Sequence, residues 1–310
     1  MDRIVYYDRG DSGYPERMKP FSGMPQGIYV KGRLPKEELP SAAIVGGRAC
    51  SAYGREQARR FARELAAAGV QIISGLASGV DAAAHQGALE GGGATFAVLG
   101  CGVNICYPRE NYPLMEKILE QEGGVLSEFS PGERPLAWHF PQRNRIISAL
   151  SDLVLVVEAR NKSGALITAD YALEQGKSVY ALPGRVNDPL SEGSNGLIAQ
   201  GAGIAVHPSA LLEELSASGK WRLSQAADRE ACQEKDGAKE FMGMVPGTGR
   251  KLTPREQHIL QALRGGSHTL EELHRVSGVP VPELTALLVG LQLEGLLCEE
   301  GKNAYYLRER

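Results

Sequence analysis

The sequence lacks the features that define several protein classes. Its five cysteines form no Cys-x-x-Cys pair, which argues against a disulfide framework or a structural zinc site. No apolar run reaches the roughly 18 residues of a transmembrane helix. The amino-terminal MDRIVYYDRGDSGYPERM is charged and has no apolar core of a signal peptide. We therefore expect reduced thiols and a cytoplasmic protein with no membrane partner.

Excess positive charge and aromatic residues are also scarce. The formal net charge is −3, the isoelectric point is near 6.1, and 6% of the residues are aromatic. A site for a polyanion must then be a local patch of cations, because the whole surface supplies no attractive field. The 310 residues, of which 43% are hydrophobic, suit one large domain plus a small one.

Residues 41–216 alternate short apolar runs with amphipathic segments. Ala42–Gly47 and Leu153–Glu158 are predicted strands, and Tyr53–Ala68 is a predicted helix. Leu153–Glu158 is a continuous apolar run, typical of a parallel strand covered on both faces. The alternation predicts an α/β fold with an extended, Rossmann-like, doubly wound parallel sheet. Between these runs, Pro141–Leu150 is predicted as a basic loop or a first helical turn.

Three other segments complete the predicted organisation. Residues 1–40 are interrupted by prolines, which predicts an irregular lead-in that packs on the main domain, with one short strand at Ile28–Gly32. Residues 217–250 are polar and glycine-rich, which predicts a flexible linker. Residues 251–310 predict a small C-terminal winged-helix domain. Its third helix lies within Val279–Leu297, which contains no Lys or Arg, so we favour protein contact or self-packing over DNA reading.

Glycine-bearing loops follow several predicted strands, at Gly46–Ser51, Ser74–Asp81, Gly100–Asn111 and Asn161–Ala169. Glycines let backbone amides approach a phosphate closely, and a helix amino terminus favours an anion. The first loop is not a dinucleotide fingerprint, since Arg48 stands where G-x-G-x-x-G needs a small residue, and no segment matches the P-loop. An arginine in this turn suits a phosphodiester ligand.

Cations and aromatic rings are predicted at the same edge of the sheet. The cations are Arg48, Arg109, Arg143, Arg145 and Lys162, with Lys177 a further candidate, and the rings are those of Tyr53, Tyr107, Tyr112, Trp138 and Phe140. Cations that follow a backbone, with rings for base stacking, hold single-stranded nucleic acid without sequence readout. The predicted nucleic-acid-binding residues are Gly46, Gly47, Arg48, Ser51, Ser74, Gly75, Gly79, Arg109, Phe140, Arg143, Asn144, Arg145, Lys162, Ser163 and Gly164.

Signals for catalysis are weak. Asp81 and His85 lie one helical turn apart, an arrangement that is more often structural, and Glu128 and Glu158 end strands where they can anchor a loop. The sequence has no G-x-S-x-G elbow, no H-E-x-x-H motif and no carboxylate cluster for a metal. We therefore predict no catalytic residue, no metal and no cofactor.

Several segments together resemble one known family. They are GGRACSAYG, SGLASGVDAAAH, LGCGVNICYPREN, HFPQRNRIISALSDLVLVVEA, KSGALITADYALEQGKSVYALPG and GSNGLIAQGA. From residue 14 to residue 215 the chain is similar to the DNA-processing protein A (DprA, or Smf) family. The resemblance implies a Rossmann-like domain that binds single-stranded DNA, forms a homodimer and promotes loading of the RecA recombinase during natural transformation. It assigns Arg48 to the GxR turn, Arg109 to YPxxN, Arg143 and Arg145 to FPxRNR, and Lys162, Ser163 and Gly164 to KSG.

An enzyme is the alternative. Rossmann-like nucleoside monophosphate phosphoribohydrolases share this type of sheet and carry the signature PGGxGTxxE. The equivalent loop here is KSGALITAD, which has no second glycine pair and no glutamate in that position, and Asp170 is the nearest carboxylate. This difference favours binding over hydrolysis. A ligand-sensing winged-helix regulator is a third hypothesis, weakened by the uncharged third helix.

Overall fold

The computed structural model describes residues 3–217, 253–263, 268–277, 279–293, 296–300 and 304–307. The chain forms two compact units, Met1–Ala227 and Asp228–Arg310. The predicted linker at 217–250 lies, apart from its first residue, outside the described residues. Among the described helices, none combines the length and the apolar character needed to cross a membrane.

The first unit is built on a nine-stranded sheet. Its strands are β1 Ile4–Asp8, β2 Gly27–Gly32, β3 Ser41–Val45, β4 Gln71–Ser74, β5 Thr95–Val98, β6 Gly124–Ser127, β7 Leu153–Val156, β8 Ser178–Ala181 and β9 Gly203–Ile204. Its helices are α1 Ala52–Ala67, α2 Val80–Glu90, α3 Tyr112–Glu120, α4 His139–Leu150, α5 Gly164–Glu174, α6 Glu192–Ala199 and α7 Pro208–Ala217. Strands and helices therefore alternate from β3 onward, as predicted.

The strand order is β1-β2-β6-β5-β4-β3-β7-β8-β9. All pairs from β6 to β9 are parallel. From β3 the chain first winds outward through β4, β5 and β6, and then returns to place β7 on the other side of β3. This reversal is the doubly wound pattern, and it confirms the predicted Rossmann-like fold.

The amino-terminal segment departs from the expectation of an irregular lead-in. Strands β1 and β2 form an antiparallel hairpin, and β2 pairs antiparallel with β6, so the sheet is mixed. The single strand expected at Ile28–Gly32 is β2. Strand β1 was missed because its residues IVYYD are only partly buried, which weakens the apolar pattern of a strand.

Hydrophobic cores cover both faces of the sheet. On β7, Leu153 and Leu155 point into the core beneath α1, α2 and α7, while Val154 and Val156 point into the core beneath α4 and α5. Both faces of a parallel strand are thus apolar, which explains the unbroken LVLV run. The segment Pro141–Leu150 belongs to the full helix α4, since Ile146, Ile147 and Leu150 also join this core.

The described residues of the second unit form three helices and a small sheet. The elements are α8 Pro254–Ala262, β10 His268–Thr269, α9 Leu270–Ser277, α10 Val281–Leu293, β11 Leu297–Glu300 and β12 Ala304–Leu307, and the strand order is β10-β12-β11. Thr253 and Thr269 both form capping boxes, in which the threonine Oγ1 accepts from the amide of Glu256 or Glu272. Their glutamates accept from the threonine amides in return. These helices and strands confirm the predicted winged helix.

Candidate nucleic-acid interface

A pocket of about 380 Å³ lies where the chain reverses its winding, beside the carboxyl ends of β3 and β7. Doubly wound sheets bind their ligands at this position because the loops diverge there and leave a crevice. The lining residues are Val45, Gly46, Arg48, Ala77, Asp81, Ala137, Phe140, Pro141, Arg143, Asn144, Ile147, Ser163, Gly164, Ala165 and Thr168. Seven of the predicted site residues are among them: Gly46, Arg48, Phe140, Arg143, Asn144, Ser163 and Gly164.

The loop after β3 holds Arg48 at the mouth of this pocket. Gly79 has φ +82°, and a Cβ on it would lie 2.5 Å from the carbonyl oxygen of Arg48 and would also meet that of Gly47. The loops after β3 and β4 are therefore in direct backbone contact. Val80 strengthens this contact by donating its amide to the Gly47 carbonyl at 3.3 Å. Arg48 itself is exposed and lies within reach of a ligand.

Glu158 anchors the other end of the same loop. Its buried carboxylate accepts from the amide of Ser51 at 2.8 Å and from the Ser51 hydroxyl at 2.6 Å. The Ser51 Oγ in turn accepts from the amide of Gly54 and caps α1. The structure thus places the Ser51 hydroxyl in protein contacts, and Glu158, which ends the central strand run, is a loop anchor.

Phe140 forms an aromatic floor between two loops. The guanidinium carbon of Arg48 lies 4.8 Å from the centre of its ring, and the ring of Tyr107 lies 5.5 Å away on a tilted plane. Tyr107 is itself substantially exposed. Phe140 is partly buried, and Tyr107 belongs to the loop that also carries the exposed Arg109 in a short 3-10 turn. The Arg48 guanidinium and the rings of Phe140 and Tyr107 therefore lie next to one another, an arrangement that suits a phosphate beside a stacked base.

The amino terminus of α5 closes the pocket on the β7 side. Ser163 caps this helix: its hydroxyl accepts from the amide of Ala165 at 3.3 Å and its carbonyl accepts from the amide of Leu166 at 3.0 Å. Asn144 donates to the Gly164 carbonyl at 3.0 Å and ties α5 to α4. Lys162 is exposed beside this terminus with φ +65°. Its ammonium group adds positive charge to the helix dipole.

Arg143 lies beneath the pocket, where only 4% of its surface is exposed. Its guanidinium donates to the carbonyl of Gly75 at 2.8 Å and to that of Val98, and its Nε donates to Asn144 at 3.2 Å. Burial lowers the pKa of this guanidinium to about 10, which the Asp81 carboxylate opposes. Arg143 therefore ties the ends of β4 and β5 together and supplies positive charge from below.

Asp81 and His85 occupy buried positions on α2. Asp81 lines the pocket and accepts from the Gly75 amide at 3.2 Å. Burial raises the pKa of its carboxyl, and Arg143 opposes the shift. Thr95 donates its hydroxyl to the Ile72 carbonyl, so it accepts from Nδ1 of His85 at 2.7 Å. Since burial lowers the pKa of this imidazole to about 3, His85 is a neutral packing residue.

Three predicted cation or hydroxyl positions lie in protein contacts away from the pocket lining. Arg145 pairs with the partly buried Glu128 at 2.6 Å. Ser74 is buried and donates to the Ile44 carbonyl at 2.6 Å. Lys177 donates to the last carbonyls of α4, at the amino ends of the strands, on the opposite edge of the sheet. A DNA contact for Arg145 or Ser74 stays a prediction.

Sequence reasoning missed Asp81 and Thr168 as pocket residues. Their signal lay in SGLASGVD and KSGALIT, where each residue follows a glycine by no more than four positions. Among the residues that the structure describes, no group of three His, Cys, Asp or Glu side chains is placed to hold a metal ion.

The site and fold match known proteins over most of the chain. A family model for DNA recombination-mediator protein A matches residues 5–216, and one for the DprA winged-helix domain matches residues 246–301. Protein Smf of Escherichia coli is 40% identical over 284 residues, covering 91% of this chain and 72% of its own. The DNA processing protein A structure from Streptococcus pneumoniae has a TM-score of 0.65 at 39% identity, over 68% of this chain and 74% of that one.

A second solved structure shows the same relationship. DNA processing protein A from Helicobacter pylori has a TM-score of 0.62 and 29% identity, and the match covers 70% of this chain and 97% of that chain. The match to the first family model spans the sheet and every loop that builds the pocket. The chain therefore belongs to the DNA recombination-mediator protein A (DprA/Smf) family.

Proposed function

We propose that this protein binds single-stranded DNA at the pocket between β3 and β7 and acts as a mediator of DNA recombination. The observation that carries the proposal is the contact of Arg48 with the Phe140 ring, in a pocket whose lining also includes Ser163 and Gly164 at the α5 amino terminus. A base can stack on the ring while its phosphates meet the cations and the helix terminus. Such contacts are made to the DNA phosphates and to the face of a base, so they need no particular base sequence.

The proposal assigns a DNA-binding role to individual residues. Arg48, Arg109 and Lys162 contact phosphates, Phe140 stacks a base, and the backbone of Gly46, Gly47, Ser163 and Gly164 lines the approach. Arg143, Asn144, Gly75 and Gly79 hold these loops in position, since their contacts are with protein groups. The H. pylori relative supports the ligand, because its structure concerns a single-stranded DNA binding mode.

The biological role that we infer is the one indicated by the family description and by the names of the relatives. We infer that the bound strand is incoming or processed DNA in transformation and recombination, that RecA is the recombinase partner, and that the chain works as a homodimer. The family description as a recombination mediator and the DNA-processing names of the relatives support the role. A mediator binds and delivers a strand without breaking a bond, so we propose a non-catalytic protein.

The buried carboxylates beside the pocket favour binding over hydrolysis. The Glu158 carboxylate is held by the amide and hydroxyl of Ser51, and the Asp81 carboxylate accepts from the Gly75 amide close to the charge of Arg143. The KSGALITAD loop also carries no glutamate in the position that the phosphoribohydrolase signature requires. The hydrolase alternative is therefore not favoured.

Fluorescence anisotropy of a labelled oligothymidine tests the proposal. The wild type should bind tightly with a steep salt dependence, and Arg48→Ala with Lys162→Ala should lower both the affinity and the slope. Arg63→Ala with Lys117→Ala is the matched control, since it removes the same charge from exposed sites on α1 and α3 outside the pocket. Absence of wild-type binding at low salt would overturn the proposal.

A further inference from the structure

Two exposed arginines lie outside the pocket lining, on the loops that follow β7 and β8. Arg160 and Arg185 are both exposed, and neither takes part in an ion pair among the residues that the structure describes. Neither belongs to the pocket lining or to the motifs that predicted DNA contacts. Because β7 and β8 are parallel neighbours, both loops leave the same carboxyl edge of the sheet.

The two loops are fixed to each other through the start of α6. Gly193 donates its amide to the Ala159 carbonyl at 2.7 Å, and a Cβ on Gly193 would lie 2.7 Å from the Arg160 carbonyl oxygen. Asn195 binds both the amide and the carbonyl of Gly184, each at 3.1 Å. The GSN segment of the sequence therefore holds the backbones of Arg160 and Gly184, next to Arg185, in one rigid arrangement.

The strand order shows how far these two loops lie from the loop that carries Arg48. Neighbouring strands are about 4.8 Å apart, so the β8 loop lies about 10 Å from the β3 loop that carries Arg48. The loop that carries Arg109 lies in the opposite direction and turns back towards β3, since Asn111 donates to the Leu76 carbonyl of the loop after β4 at 2.9 Å. The cations that follow β3, β7 and β8 therefore span roughly 10 Å along the carboxyl edge, with the pocket beside β3 and β7.

We propose that Arg160 and Arg185 form a second phosphate-binding segment, over which a single strand continues after it leaves the pocket. This inference rests on the proposed function and extends it to a binding site longer than the pocket. The occupant is the sugar-phosphate backbone, because exposed guanidinium groups on a polar loop offer charge and donors but no ring for a base. Two carboxylates lie close in sequence: Asp188, which accepts from the Leu190 amide, and the exposed Glu192.

Oligomer length separates this segment from the pocket. Oligothymidines of about 4 and about 16 nucleotides, the limits typical of single-strand sites, are titrated by anisotropy against wild type and Arg160→Ala with Arg185→Ala. The short oligomer fills the pocket, so its affinity should be unchanged. The long one should bind more weakly, and its salt slope should fall by about 1.4, which makes the defect about sevenfold larger at about 50 mM than at 200 mM salt.

Two further variants sharpen the result. Glu192→Gln removes a nearby negative charge and should tighten binding of the long oligomer, while Arg63→Ala with Lys117→Ala controls for net charge. If the Arg160 and Arg185 double variant binds the long oligomer as this control does, the second segment does not exist although the pocket still binds DNA. If the wild type binds neither oligomer, the proposed function itself falls and this inference falls with it.

Discussion

The guanidinium carbon of Arg48 lies 4.8 Å from the centre of the Phe140 ring. The two residues are separated by more than ninety positions in sequence, on the loop after β3 and the first turn of α4. In the proposed function, Arg48 contacts a phosphate and the Phe140 ring stacks on a base. Mutation of each residue can therefore separate the contribution of the Arg48 charge to DNA binding from that of stacking on Phe140.

Phe140→Ala should weaken binding of an oligothymidine by about 1–3 kcal/mol, since a stacked base is lost. Its salt slope should stay near that of wild type, because no phosphate contact is removed. Arg48→Ala should instead lower the slope by about 0.7 for the one lost contact. Anisotropy titrations over a range of salt measure both. Phe140→Trp is the control and should retain affinity; equal slopes for Phe140→Ala and Arg48→Ala would contradict this division.

Arg143 and Lys162 should differ in what their loss affects. Arg143→Met leaves the buried carbonyls of Gly75 and Val98 without a donor, at about 1–3 kcal/mol each, so the free energy of unfolding should fall by several kcal/mol. Lys162→Ala removes an exposed charge and should change stability by less than about 0.5 kcal/mol while weakening DNA binding. Urea unfolding and anisotropy on both variants give the comparison. A stable Arg143→Met protein with reduced salt slope would make Arg143 a direct phosphate contact instead.

Gly79→Ala should disrupt the loop that carries Arg48. The added methyl group meets the carbonyls of Gly47 and Arg48, and the residue must keep φ +82°. Strain of about 1–2 kcal/mol and overpacking of about 1–3 kcal/mol should add, and DNA affinity should fall with them.

Gly92→Ala is the matched control for this change. Gly92 also has a positive φ, +70°, but a Cβ there meets nothing within 4 Å. It should lose only the conformational strain and bind DNA as wild type does. Equal unfolding energies for the two variants would show that the loops after β3 and β4 can separate freely.

His85 should make the protein sensitive to acid. Its pKa is lowered from 6.5 to about 3 in the folded protein. Below pH 6.5 the imidazole is therefore protonated in the unfolded chain but stays neutral in the folded chain. The free energy of unfolding should then fall by about 1.4 kcal/mol per pH unit from this residue as the pH drops through that window. Comparing His85→Gln with wild type by urea unfolding between pH 5 and pH 7 isolates the effect. Parallel pH profiles would exclude a neutral, buried His85.

The sequence predicted those site residues that lie at or close to the ends of strands. Arg48, Phe140, Asn144, Ser163 and Gly164 were placed on one edge by the alternation of strands and helices, and the structure brings them together around one pocket. Arg143 and Arg145 show the limit of that reasoning. Both stand in a basic helix start, yet side-chain direction along α4 turns the first beneath the pocket and the second towards Glu128.

The sequence alone determined the α/β class, the doubly wound order and the winged helix, because apolar periodicity, glycine turns and capping residues are local and repeat along the chain. Only the tertiary structure showed that β1 and β2 extend the sheet, that the Glu158 carboxylate accepts from Ser51, and that the loops carrying Arg160 and Arg185 are both bonded to the start of α6. These relationships join residues far apart in sequence. Pairing and packing energies of the folded chain fix them, and no local pattern encodes those energies.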